Sequence, residues 1–70
     1  EVIMQNRIGS ERVRIRMTQK ELAKQLGVST QAVSQWETGK SDCPAKRLVA
    51  LSRIFGCTTD WLLGLTDERL

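Results

Sequence analysis

The stretch from Met17 to Ser41, MTQKELAKQLGVSTQAVSQWETGKS, constrains the fold most, because it encodes two short amphipathic helices that meet at a glycine. Leu22, Ala23 and Leu26 recur at helical spacing, while Lys20, Glu21, Lys24 and Gln25 fill the opposite face. Thr18 followed three residues later by Glu21 is a capping-box pattern that starts the first of these helices at Gln19. Gly27 ends it, since glycine adopts the left-handed conformation of a helix C-terminus without a Cβ penalty. Ser29 then offers an N-cap oxygen to a second helix at about 29–37. In that helix only Val33 and Trp36 ask to be buried, and Thr30, Gln31, Ser34 and Gln35 are left on the free face.

Surface helices usually carry Glu and Lys, which are good helix formers and solvate well, yet this face holds neutral hydroxyls and amides. A glutamine amide can donate to and accept from the N6 and N7 edge of adenine in the major groove, a contact that discriminates by roughly 1–3 kcal/mol. The segment resembles the helix-turn-helix of the lambdoid phage repressor and Cro family. Gln19 opens the first helix, Ala23 lies at the tight crossing, Gly27 is in the turn, and Val33 and Trp36 anchor the second helix. In that resemblance small residues at Ala23 and Gly27 let the two helices approach closely. It implies an all-α fold, a compact bundle of five short helices. It also implies that Thr30, Gln31, Ser34 and Gln35 read base edges in the major groove, with Ala32 positioned for a thymine methyl.

Phosphate contacts follow from the same resemblance. Gln19 sits where exposed backbone N–H groups and the helix dipole favour an anion. Thr38, Lys40 and Ser41 lie at the end of the reading helix and in the loop after it, and Lys46 lies further on. Arg12 matches the family's arginine of the first helix, which pairs with a glutamate at the end of the reading helix, here Glu37. As a surface ion pair this contact would contribute little stability, but it would aim Arg12 at the DNA backbone.

The flanking sequence predicts three more helices. A first, from about Val2 to Arg16, turns Ile8 and Val13 inward, with Arg7, Arg12, Arg14 and Arg16 distributed around it. Its apolar stripe is thin, Gly9 and Ser10 weaken it, and Glu11 stands where the family has a leucine-like residue. Ile15 and Met17 close the core over it. Beyond the turn formers of ETGKSDCP, Pro44 fits the first turn of a helix from Ala45 to Phe55 with Leu48, Leu51, Ser52 and Phe55 on one face and Lys46, Arg47 and Arg53 in water, ended by Gly56. Thr58 caps a short last helix whose apolar face is Trp61, Leu62 and Leu65, with Asp60 in its first turn. GCTTDWLLG also resembles the end of the phage-repressor fold, so the likeness covers nearly the whole chain.

Seventy residues make one small domain, 1–70, whose core leaves little room for a cofactor pocket, and no cofactor is expected. Between Arg7 and Arg53 ten cations face four acids, a surplus of six that favours a polyanion. There is no histidine, no nucleophile beside a base and no phosphate-cradling glycine loop, which argues against an enzyme and a small-molecule substrate. Cys43 and Cys57 match no metal-site spacing and read as reduced thiols of a cytoplasmic protein, Cys57 as a core residue. No apolar run suits a membrane span. Trp36 and Trp61 could stack on single-stranded bases, but their places on apolar stripes point to packing.

The function these readings favour is sequence-specific recognition of duplex DNA by a transcriptional regulator, a repressor, acting as a homodimer on a palindromic operator. By family resemblance Asp42, Cys43, Trp61 and Leu65 neighbour the partner subunit. The rival is a protein-interaction module that turns the same polar helix toward a protein.

Overall fold

The computed structural model describes residues 6–70, which form five helices: α1 (Ile8–Arg14), α2 (Gln19–Leu26), α3 (Thr30–Thr38), α4 (Ala45–Phe55) and α5 (Thr59–Leu62). No strand occurs among the described residues. The fold is thus the all-α five-helix bundle that the sequence predicts.

Local chemistry sets most of the boundaries. The Thr18 hydroxyl accepts from the Glu21 amide at 3.0 Å while the Glu21 carboxylate accepts from the Thr18 amide at 2.9 Å, the reciprocal bonds of a capping box. Ser29 and Thr58 cap α3 and α5 in the same way, accepting from the amides of Ala32 and Trp61. Gly27, Gly39 and Gly56 stop α2, α3 and α4 in the left-handed conformation. Pro44 is the N-cap of α4, one place before the first turn assigned to it from sequence.

The turn glycine needs a different explanation from the close approach inferred for it. A Cβ on Gly27 would meet nothing within 4 Å, so its φ of +71° alone requires glycine. The close approach is at Gly9, where a Cβ would lie 3.1 Å from the Glu37 carboxylate, and the residue that weakens α1 as a helix thereby lets α1 come against α3.

The core gathers Ile8 from α1, Leu22, Ala23 and Leu26 from α2, Val33 and Trp36 from α3, Leu48, Leu51 and Phe55 from α4, then Cys57 and Leu62. Cys43 and Cys57 are free thiols, the first half-buried and the second buried. Trp61 is half-buried, packs against the core and is covered by the Arg7 guanidinium 3.7 Å from its ring centroid. Both tryptophans are therefore packing residues.

Four expectations for the flanking helices are corrected. Of the first predicted helix, Val2 to Gln5 lie outside the described residues, and its end is Arg14, so Arg16 stands in the turn after it. Val13 is 61% exposed and Glu11 only 4%. Helical periodicity explains this: Ile8, Glu11 and Ile15 are three and seven residues apart and share a face, whereas five residues carry Val13 well off it. Leu65 is not part of the last helix. The chain leaves α5 at Leu62 and turns through Gly64 (φ +76°), leaving Leu65 66% exposed. Arg47 is half-buried instead of wet, and its guanidinium donates to the carbonyl of Leu26 at 2.8 Å, where the C-terminus of α2 favours a cation.

Burial of Glu11 is compensated by a network. Its carboxylate accepts from Arg69 at 2.8 and 3.2 Å, from Arg14 at 3.0 Å and from the Trp61 indole at 3.1 Å. Arg14 and Arg69 also donate to the Phe55 carbonyl at the end of α4. The Arg69 hydrogen bonds hold the Glu11 carboxyl down at about 2 against the opposing effect of burial, with Arg14 and Trp61 adding to them. The segment after α5 is thereby tied to α1, and Arg7 adds a second tie through the carbonyls of Trp61 and Thr66.

Candidate nucleic-acid interface

The presentation of α3 follows from what lies beneath it. Val33 is fully buried and Trp36 nearly so, which fixes the rotation of the helix and turns Thr30 and Gln31 into water. Ser34 and Gln35, one turn on, are half-buried. The four residues assigned to base reading thus lie along one edge of the helix, and none carries a charge.

Four contacts hold the far end of α3. The Arg12 guanidinium engages Glu37 as a fork, at 2.7 Å through Nε and 3.3 Å through Nη2, and its Nη1 donates to the Met17 carbonyl at 2.8 Å. The pair is more enclosed than the surface contact anticipated from sequence, with side chains 17% and 11% exposed. Gln19, at the first position of α2, donates from its amide to the same Glu37 carboxylate at 3.1 Å. Asn6 donates to the Trp36 carbonyl at 2.7 Å. One carboxylate on α3 therefore gathers side chains from α1 and α2, and the angle between the helices is set by polar bonds as well as by the core.

Of the residues assigned to phosphate binding, the structure brings Arg12 and Gln19 together at Glu37. Each keeps N–H groups beyond those already bonded, because a guanidinium has five and a primary amide two. Lys40 and Lys46 are exposed and lie after α3 and in the first turn of α4. The Thr38 hydroxyl donates back to the carbonyls of Ser34 and Gln35 at 3.1 and 3.3 Å. Ser41 turns inward, its amide donating to the Gln35 carbonyl at 3.3 Å and its hydroxyl to Gln35 Oε1 at 3.1 Å.

Sequence reasoning missed Asn6, the role of Gly9 and the bond between Ser41 and Gln35. A glycine on the face of a predicted helix opposite a glutamate was the available signal for Gly9. Nothing local announced the other two, which join residues 30 and 6 positions apart.

A family model described as a helix-turn-helix matches residues 8–62. The chain is 44% identical over 63 residues to the HTH-type transcriptional regulator DicA of Escherichia coli (strain K12), covering 90% of this chain and 47% of that protein. It is 38% identical over 61 residues to Repressor protein C2 of Salmonella phage P22, covering 87% of this chain and 28% of that protein. The crystal structure of the P22 c2 repressor protein in complex with a synthetic operator superposes with a TM-score of 0.80 at 35% identity, over 94% of this chain and 100% of that one. The chain spans less than half the length of these two curated relatives.

Proposed function

The chain belongs to the helix-turn-helix family, and from that premise we propose that it is the part of a transcriptional regulator, a repressor, that binds duplex DNA sequence-specifically. The observation that carries this reading is the uncharged edge of α3, Thr30, Gln31, Ser34 and Gln35, held outward over buried Val33 and Trp36. Gln31 is exposed, and its amide makes no hydrogen bond among the described residues, so both ends are available to an adenine edge. Arg12, Gln19, Lys40 and Lys46 flank this edge and would place it by phosphate contacts, whereas the Thr38 hydroxyl hydrogen is given to the carbonyls of Ser34 and Gln35.

The operator bound by the structurally similar P22 c2 repressor supports duplex DNA as the partner. A reading helix of nine residues spans only a few base pairs, so a homodimer on two half-sites about one helical turn apart is the arrangement that reaches useful affinity. Exposed Asp42 and Leu65, with half-buried Cys43 and Trp61, are the residues proposed to adjoin the second copy. No described helix is long and apolar enough to cross a membrane, and a regulator of DNA acts in the cytoplasm. Its role is binding and not catalysis.

Selection of bound sites from a random duplex pool at physiological salt tests this. Enrichment of a two-fold symmetric site is the expected result. Recovery of no preferred sequence would refute base reading by α3, and recovery of a single unsymmetrical half-site would refute the dimer.

A further inference from the structure

We propose that Ser41 is a specificity-determining residue: its hydroxyl holds the Gln35 amide by Oε1 and so presents Gln35 to DNA as a hydrogen-bond donor, selecting guanine where a free glutamine selects adenine. The inference rests on α3 being the reading helix.

The geometry is built by the loop after α3. Gly39, at φ +80°, reverses the chain, and the Ser41 amide returns to the Gln35 carbonyl at 3.3 Å. This backbone bond sets Ser41 beside Gln35, and the side chains complete it with Ser41 Oγ 3.1 Å from Gln35 Oε1. The Thr38 hydroxyl donates to the same Gln35 carbonyl at 3.3 Å, so the turn is fastened at two points besides the side-chain bond. Gln35 Nε2 has no acceptor among the described residues, and no buried side-chain nitrogen or oxygen there lacks a partner. Nε2 is therefore open to solvent while Oε1 faces the loop.

The consequence is chemical. Bidentate recognition of adenine requires one donor and one acceptor from the same amide, toward N7 and N6. With Oε1 turned toward the loop and bonded by Ser41, the end of Gln35 that faces solvent is its NH2 group, with two hydrogens to donate. Guanine shows two acceptors in the major groove, N7 and O6, and complements it, whereas the adenine N6 amino group meets a donor. Gln31 and Gln35 are thus unequal readers despite identical side chains. Ser41 also has no hydroxyl hydrogen left for a phosphate, so it acts through Gln35 and is a positioning residue.

The test repeats the random-duplex selection with the whole chain and with Gln35→Ala, Ser41→Ala and Ser41→Thr. Loss of preference at one base pair in Gln35→Ala identifies the position Gln35 reads. There the unaltered chain is expected to prefer guanine, Ser41→Ala to shift toward adenine by roughly tenfold, and Ser41→Thr, which keeps the hydroxyl, to retain guanine. The melting temperature of Ser41→Ala checks that the domain is intact, and a purely structural role for Ser41 would weaken all sequences alike. An unchanged preference in Ser41→Ala, or adenine already preferred by the unaltered chain, overturns the proposal and leaves the reading helix standing. No loss of preference in Gln35→Ala overturns the reading by Gln35 and the proposal with it.

Discussion

At the scale of single residues, the least expected feature is a charge in the core. Glu11 occupies a position where helical spacing asks for an apolar side chain, and three donors make its burial tolerable. Removing the Glu11 charge takes its ion pairs away from Arg14 and Arg69, and the drop of its pKa from 4.5 to about 2 makes that a loss of about 3 kcal/mol. Glu11→Gln is expected to lower stability by about that amount at pH 7, measured by urea unfolding. The sign of its pH dependence follows from a folded-state pKa of about 2, below the usual 4.5. The contribution is present above pH 4.5 and is lost as pH falls toward 2, so the gap between the two proteins should close over that window. A gap independent of pH would show that the carboxylate charge is not what stabilises. Arg16 makes a second case, holding φ +58° in the turn after α1, where glycine is usual. Arg16→Gly should raise stability by about 0.5 kcal/mol and Gly27→Ala lower it by about 1 kcal/mol, since both sites hold the left-handed conformation that glycine adopts without a Cβ penalty. Neither residue's local sequence separates a helix end at Arg14 from one at Arg16, which is why the boundary was not legible.

At the scale of elements, α2 and α3 were legible because each announces itself twice, by apolar spacing and by caps at both ends. Thr18→Ala removes the hydroxyl of the capping box and should cost about 1 kcal/mol in thermal unfolding while leaving base preference intact. The first and last helices lacked such redundancy. α1 has no side-chain cap at Arg7, and α5 has only four residues, so apolar count alone misassigned Val13 and Leu65. The attachment of α3 to its neighbours depends on Glu37, which joins Arg12 and Gln19. Glu37→Ala should destabilise the domain by about 3 kcal/mol, because it strands an enclosed guanidinium. It should also weaken binding to cognate and scrambled duplexes by the same factor, as seen in fluorescence anisotropy. A loss confined to the cognate duplex would assign Glu37 to base reading instead.

For the whole molecule, the cationic surplus between Arg7 and Arg53 is the property that salt should expose. The logarithm of the binding constant for duplex DNA should fall linearly with the logarithm of salt concentration, and Lys40→Ala and Lys46→Ala should each reduce the slope by about one. An unchanged slope in either variant would remove that lysine from the phosphate-binding set. The sequence by itself determined the helix-turn-helix, its caps and the four neutral side chains along one edge of α3, because apolar period and capping chemistry act within a few residues of chain. Only the tertiary structure decided that Glu11 is buried, that Gly9 admits Glu37, that Arg47 caps α2 and that Ser41 restrains Gln35. Those outcomes join groups from different elements through polar bonds, and an arginine, a serine or a glutamate has the same local pattern whether water or a distant backbone carbonyl completes it.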